Sequence, residues 1–164
     1  MSALLKLPVP ETRPRNSPRA RKKILLVDDD PAIRKMLGML LTGEGYSVLL
    51  AVDGSESIQV VRATDVDLVL LDLNMPGMDG WQTYEQLAAE SPLLPIVVIT
   101  ARPNQSFTAL AAGIGALLEK PLDLPKLFLT IRDLLEEPDE TRLARVAGRP
   151  SEFHYVPPRA AVPG

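Results

Sequence analysis

Cysteine is missing from the 164 residues of this chain. Disulfide bonds, thiolate metal ligands and cysteine nucleophiles are therefore excluded. No apolar run reaches the roughly 20 residues of a membrane span, and the N-terminus lacks the basic start and long apolar segment of a secretory signal. These absences predict a cytoplasmic protein without a membrane span.

Charge is unevenly distributed along the chain, whose net charge is -3. Residues 1–23 contain seven basic residues and one acidic residue, whereas residues 24–137 contain seven basic and seventeen acidic residues. A nucleic-acid surface needs clustered Lys and Arg to neutralise phosphates, which the acidic region does not offer. Only the basic N-terminal arm has the charge to bind a polyanion.

Proline-rich segments mark both ends of the chain and indicate three regions. Residues 1–18 contain four prolines among Arg, Ser and Asn, with too few apolar groups to offset the entropy lost on ordering. We predict a disordered basic arm at residues 1–21, a folded domain at residues 22–137 and a proline-rich tail at residues 138–164. Within the tail, the stretch PDETRLARVAG predicts a short helix capped by Asp139.

Between the tails, short runs of Val, Ile and Leu alternate with helical patterns. The predicted strands are residues 24–28, 46–52, 67–72, 95–100 and 116–120. Helices are expected after four potential N-cap residues: Asp30, Asp53, Asp79 and Asp123. Strands that are apolar on both faces and are joined by helices indicate an α/β fold, with a parallel sheet covered by helices on both sides.

Polar side chains stand at the carboxyl ends of four predicted strands: Asp28 with Asp29, then Asp72, Thr100 and Lys120. Ligand sites in open parallel sheets lie at this edge. Three carboxylates would repel one another there unless a cation joined them, and oxygen ligands suit Mg²⁺. Lys120 adds a fixed positive charge and Thr100 adds a hydroxyl donor.

Four motifs that contain these residues resemble the receiver domain of two-component response regulators. They are LLVDDD, LLDLNMPGMDG, VVITA and LLEKPLD, and the resemblance covers residues 23–137. It implies a doubly wound, flavodoxin-like sheet of five parallel strands in the order 2-1-3-4-5, with helices on both faces. It also implies a cis peptide before Pro121.

The resemblance further implies a role for each polar residue at this edge. Asp28, Asp29, Asp72 and the backbone carbonyl of Asn74 would bind Mg²⁺. Asp72 would be the phosphoacceptor, and Thr100 and Lys120 would contact the phosphoryl oxygens.

The residue types fit phosphoryl transfer to a carboxylate. Such a reaction needs an in-line donor, a metal ion that neutralises charge and a cation that holds the developing oxyanions. The single histidine, His154, lies in the tail, so no obvious base can activate water. A long-lived acyl phosphate, as in a signal carrier, is therefore favoured over rapid turnover.

Two positions depart from the family pattern. The segment RPNQSFTALAA is shorter than is usual between strand four and strand five and contains Pro103, which predicts a short or displaced fourth helix. Leu117 stands where receivers commonly have Tyr or Phe. A weak coupling between phosphorylation and output is therefore expected.

The predicted function is that of a single-domain response regulator and not that of an enzyme. It would take a phosphoryl group from a histidine kinase or a histidine phosphotransfer protein. It would then signal through an unknown output protein or relay the group onward. The 138–164 tail is too short for a DNA-binding domain.

Two alternatives stay open at this point. The first is a receiver fold that serves as a docking module without phosphorylation. The second is a phosphatase of the haloacid-dehalogenase type, in which Asp28 would be the nucleophile. Against the second, Ala32 replaces the expected Thr or Val, and the LNMPGMDG loop has no role in that reaction.

Overall fold

The computed structural model describes residues 20–74, 80–101, 113–148 and 154–160. Strands and helices alternate along these residues. The strands are β1 Lys23–Val27, β2 Ser47–Ala51, β3 Leu68–Asp72, β4 Ile96–Thr100, β5 Ala116–Glu119 and β6 His154–Val156. The helices are α1 Pro31–Gly43, α2 Gly54–Ala63, α3 Gly80–Glu90, α4 Leu124–Glu136 and α5 Asp139–Val146.

The strands form one parallel sheet in the order β2-β1-β3-β4-β5-β6. The predicted α/β class, the doubly wound topology and the order of the first five strands are confirmed. The predicted number of five strands is wrong, because β6 pairs with β5 and extends the sheet by one strand. The three residues of β6 are too few to show a periodic apolar pattern, and so the sequence did not indicate this strand.

Two apolar layers hold the sheet, one on each face. Alternate residues of β3 enter opposite layers: Val69 and Leu71 pack on one face, and Leu68 and Leu70 on the other. Every residue of β3 and β4 is buried. A central strand that is apolar on both faces needs helices above and below it, and this requirement sets the layered architecture.

Helix starts follow local capping chemistry at three of the predicted positions. Asp30 accepts hydrogen bonds from the N–H groups of Ala32 and Ile33, and Asp53 and Asp123 each cap the helix that follows. The predicted cap at Asp139 is wrong. The N-cap of α5 is Pro138, and Asp139 is the first helical residue, where its charge lies favourably at the positive end of the helix.

Several predictions fall on residues outside the described ranges. They are the N-terminal arm up to residue 19, the Asp79 cap, and the predicted fourth helix at residues 102–112. The domain boundaries at residues 21 and 137 stay predictions. Of the helices in the described ranges, each is too short or too polar for a bilayer crossing.

The tail beyond residue 137 packs against the domain through α5 and β6. Val156 is 8% exposed and belongs to the same apolar layer as Leu118 and Leu127. Arg145, also buried, pairs with the buried Glu137 at the end of α4. The last part of the chain therefore contributes to the core as well as to the sheet.

Candidate functional site

Four neighbouring strands bring the predicted polar residues to one edge of the sheet. Val27 of β1 is level with Leu71 of β3, so Asp28 stands beside Asp72. Asp72 is level with Ile99 of β4, which places Thr100 one residue further along. We call this side, where the parallel strands end, the carboxyl edge.

Three carboxylates meet at the carboxyl edge. Ligand oxygens of Asp28, Asp29 and Asp72 all lie within 4.8 Å of one another. Asp28 and Asp72 are each 4% exposed, whereas Asp29 is exposed. A set of hard oxygen donors at this spacing, two buried and one open to solvent, fits a divalent cation such as Mg²⁺ that keeps part of its water shell.

Burial raises the pKa of Asp28 to about 6. The largest cause is desolvation of the carboxylate, and the nearby charge of Asp72 and a hydrogen bond with it raise the pKa further. The backbone N–H of Asp30, which donates to Asp28 Oδ1 at 2.9 Å, and the charge of Lys120 act in the opposite direction. Asp28 thus binds a proton more readily than an exposed aspartate does.

Both oxygens of Asp72 have hydrogen-bond donors. The backbone N–H of Asn74 donates to Oδ1 at 2.8 Å, and the ammonium of Lys120 donates to Oδ2 at 3.1 Å. The Lys120 side chain is 31% exposed, whereas that of Asp72 is 5% exposed. Asp72 therefore lies beside both a cation and the other two carboxylates.

Lys120 and Thr100 are joined through the backbone. The N–H of Lys120 donates to the carbonyl oxygen of Thr100 at 2.8 Å, which extends the β4–β5 ladder by one residue. Thr100 is fully buried at the end of β4. The peptide between Lys120 and Pro121 is cis, as predicted.

Asn74 follows Asp72 by two residues at the start of the next loop. Its backbone N–H holds Asp72, and its side-chain Nδ2 is buried without a hydrogen-bond partner among the described residues. Its predicted use of the backbone carbonyl as a metal ligand stays a prediction.

Two contacts at this edge had no signal in the sequence. Arg34 on α1 donates from Nη1 to the carbonyl oxygen of Asp28 at 2.6 Å and holds the turn after β1. Tyr155 on β6 donates its hydroxyl to Glu119, the residue before Lys120, at 3.0 Å. The Arg34 bond ends on a backbone carbonyl, and the Tyr155 bond joins residues that are 36 positions apart. A local sequence motif therefore predicts neither bond.

Comparison with known sequences identifies relatives over most of the described domain. A family model of the response regulator receiver domain matches residues 24–132. The transcriptional regulatory protein GlrR of Escherichia coli strain K12 is 40% identical over 116 residues, which cover 70% of this chain and 26% of GlrR. Response regulator MprA of Mycobacterium sp. strain KMS is 42% identical over 122 residues, 72% of this chain and 53% of MprA. The match thus spans about a quarter to a half of these relatives.

Comparison with solved structures gives a consistent result. A CheY-like response regulator receiver domain protein from Methanospirillum hungatei JF-1 superimposes with a TM-score of 0.68 at 30% identity, over 74% of this chain and 98% of that structure. The response regulator TrrA from Thermotoga maritima, in complex with Mg(2+)-BeF, superimposes with a TM-score of 0.64 at 30% identity, over 69% of this chain and 98% of TrrA.

Proposed function

Since the chain belongs to the family of response regulator receiver domains, we propose that Asp72 accepts a phosphoryl group in a Mg²⁺-dependent reaction. The donor is a histidine kinase or a histidine phosphotransfer protein. The observation that carries the proposal is the position of Asp72, a buried carboxylate close to both the Asp28–Asp29 pair and the Lys120 ammonium. The chain then acts as a signalling protein and not as an enzyme.

The proposed step is a displacement at phosphorus. An oxygen of Asp72 forms the new O–P bond while the P–N bond of the donor phosphohistidine breaks, and the electron pair of that bond leaves with the imidazole. Lys120 and the Thr100 hydroxyl hold the phosphoryl oxygens as charge builds on them. Asp28, Asp29, Asp72 and the carbonyl of Asn74 would hold Mg²⁺, which would supply positive charge that lowers the repulsion between carboxylate and phosphoryl group.

The surroundings favour Asp72 over Asp28 as the nucleophile. Asp72 lies 3.1 Å from the Lys120 ammonium, whereas Asp28 accepts its hydrogen bond from the backbone N–H of Asp30. A nucleophilic carboxylate must be charged and must face a group that stabilises the transferred oxygens. In the phosphatase alternative Asp28 would be the nucleophile. The two reactions can therefore be distinguished by which aspartate carries the phosphoryl group.

Labelling with acetyl phosphate and Mg²⁺ tests the proposal. Intact mass spectrometry is expected to show one added phosphoryl group on the parent chain and none on the Asp72→Asn variant. Asp133→Asn, which neutralises an exposed acid on α4, serves as the control and should label like the parent. Labelling of Asp72→Asn at the parent's rate, or mapping of the group to Asp28, would support the phosphatase alternative. A parent chain that takes up no label with Mg²⁺ present would support the docking-module alternative.

The output of the signal is proposed as contact with another protein, or as onward transfer of the phosphoryl group. The matched region covers 26% of GlrR and 53% of MprA, so the activities of those longer proteins are not transferred to this chain. A cytoplasmic location is part of the same proposal, because a histidine kinase or phosphotransfer protein must reach Asp72 from that side of the membrane.

A further inference from the structure

Residues 154–160, which we call the C-terminal strap, run along the outer side of β5. At one end the N–H of His154 donates to the carbonyl oxygen of Gly115 at 3.3 Å, and the three residues of β6 pair with β5 in parallel register. At the other end the N–H of Arg159 donates to the carbonyl oxygen of Pro121 at 2.8 Å. The strap therefore contacts β5 from the residue before its start to the residue after Lys120.

Two strap contacts fall on the neighbours of Lys120. The Tyr155 hydroxyl holds the Glu119 carboxylate at 3.0 Å, and the Arg159 amide holds Pro121. The backbone N–H of Lys120 is itself bonded to β4. The backbone at Lys120 is thus bonded to β4 directly and to the strap through the carbonyl of Pro121, while the strap also holds the side chain of Glu119.

Other contacts, at Val156 and in the preceding helix α5, hold the strap independently of these two hydrogen bonds. Val156 is 8% exposed within the apolar layer below the sheet. Upstream, Arg142 on α5 donates from Nη2 to the carbonyl oxygen of Leu134 at 2.8 Å, and Arg145 pairs with Glu137. The loss of one polar contact further along the strap therefore need not release it.

We propose that the C-terminal strap positions Lys120 to hold the phosphoryl oxygens during transfer to Asp72. The Tyr155 hydroxyl and the Arg159 amide are the points of contact. The inference rests on the proposed function, because Lys120 needs exact placement only if Asp72 accepts a phosphoryl group. A group that stabilises a transition state must be held to within about 0.5 Å, whereas lysine has a flexible side chain. Without the strap, β5 would be an edge strand whose outer backbone groups are unpaired.

The first test removes the Tyr155 hydroxyl from the full chain. Tyr155→Phe should slow labelling of Asp72 by acetyl phosphate about threefold to tenfold, the usual effect of one hydrogen bond, while the melting temperature stays near that of the parent. Tyr46→Phe removes a hydroxyl beside β2, at the opposite margin of the sheet, and should label like the parent. Equal labelling rates in the parent and Tyr155→Phe would overturn the role of this hydroxyl.

The second test addresses the backbone contact. Arg159→Pro deletes the N–H that donates to Pro121, whereas Arg159→Ala changes the exposed side chain and keeps the N–H. The proline variant should label more slowly than the parent, and the alanine variant should match the parent. Equal slowing in both would assign the effect to the side chain and contradict the inference.

The third test asks whether the strap acts through Lys120. In a Lys120→Ala chain, the added Tyr155→Phe change should have no further effect on the residual labelling rate. Glu119→Gln, which keeps an oxygen that accepts from Tyr155, should label like the parent, whereas Glu119→Ala should reproduce the Tyr155→Phe defect. The same fold-loss from Tyr155→Phe with and without Lys120 would show that the strap only supports the fold.

The parent chain separates failure of this inference from failure of the proposed function. If the parent is not labelled at Asp72, the proposed function fails, and with it the proposal that the strap positions Lys120 for phosphoryl transfer. If the parent is labelled and all strap variants label equally well, only the positioning role fails.

Discussion

The Lys120 ammonium lies 3.1 Å from Oδ2 of Asp72, on the side of that carboxylate away from its hydrogen bond with Asn74. Asp72 is 95% buried at its side chain, and the carboxylates of Asp28 and Asp29 lie close by. One cation thus faces a cluster of three acids. In the absence of a metal ion, Lys120 is the positive charge that these described residues bring nearest to Asp72.

Loss of Lys120 should therefore destabilise the metal-free protein. We expect Lys120→Ala to lower the free energy of unfolding by about 1 to 3 kcal/mol at pH 7, because a buried carboxylate loses its partner. The control is Lys126→Ala, whose exposed pair with Asp123 at 3.8 Å should contribute less than about 0.5 kcal/mol. Urea unfolding without divalent cations gives both values, and equal losses would contradict the special position of Lys120.

The raised pKa of Asp28 predicts that this residue destabilises the folded chain as the pH rises, the opposite of the usual effect of an aspartate. Its pKa is about 6 in the folded chain, compared with 3.8 for an aspartate in water, so the folded state binds the proton more tightly and loses stability as the pH rises between these values. Asp28→Asn keeps the acceptor for Asp30 and removes the charge. Without divalent cations, this variant should be more stable than the parent by roughly 2 to 3 kcal/mol at pH 7 and should match it below pH 4.

Chemical unfolding across pH 3.5 to 7.5 measures that difference directly. Subtracting the two stability curves removes the contribution of the carboxylates that do not interact with Asp28, so that only Asp28 and its neighbour Asp72 contribute to the difference. A difference that does not change with pH would show that the Asp28 pKa is not raised.

Magnesium affinity should depend on pH for the same reason. A metal ion must displace the proton from Asp28, whose pKa is about 6, so binding at pH 5 should be about tenfold weaker than at pH 7. Calorimetry reports the affinity, and the fluorescence of Trp81 at the start of α3 offers a second signal. Asp29→Ala should weaken binding at both pH values; unchanged affinity in that variant would exclude Asp29 as a ligand.

Strand ends and helix caps could be predicted because their signals are local. Each of the first five strands begins and ends within one residue of its predicted bounds, and Asp30, Asp53 and Asp123 cap helices as expected. The meeting of the acids with Lys120 followed from one further rule, that parallel strands end at the same edge. The roles of these residues in phosphoryl transfer stay predictions.

The strap could not be predicted because its contacts are distant in sequence. Tyr155 and Glu119 are 36 residues apart, and Val156 stands between Tyr155 and two prolines, too short a run to show a strand pattern. Arg34 was missed for a related reason: its partner is a backbone carbonyl, which every residue has. Patterns record the type of a side chain, whereas these contacts depend on where the folded backbone passes.

Gly80 permits a close approach between α3 and the residue after Asp72. A Cβ atom added at Gly80 would lie 2.6 Å from the Cα and 3.0 Å from the carbonyl oxygen of Leu73. Gly80→Ala should therefore cost about 1 to 3 kcal/mol of stability and slow the labelling of Asp72, since α3 must move. Gly43→Ala, where an added Cβ meets nothing within 4 Å, should unfold and label like the parent. Similar losses in both variants would rule out the Leu73 clash as the cause.

The buried pair of Arg145 and Glu137 should control the docking of α5. Both side chains are 7% exposed, so Arg145→Leu would leave the buried Glu137 carboxylate with only its longer ion pair to Arg142 at 3.6 Å and should cost about 1 to 3 kcal/mol. Adding Glu137→Gln to that chain should recover part of the loss, because the buried charge that has lost its shorter ion pair is gone. Thermal unfolding of the parent and both variants measures this, and a double variant less stable than Arg145→Leu alone would refute the explanation.

The two edge strands of the sheet, β6 and β2, differ in whether a further strand can pair with them. The β6 strand has three residues and is followed by Pro157 and Pro158, which have no N–H to offer a further strand. At the opposite margin, β2 pairs on one side only among the residues that the structure describes, and its Leu50 is 46% exposed. Two copies joined from β2 to β2 would present a proline-blocked strand at each outer end. Self-association by strand addition would accordingly stop at a dimer and not continue into a filament.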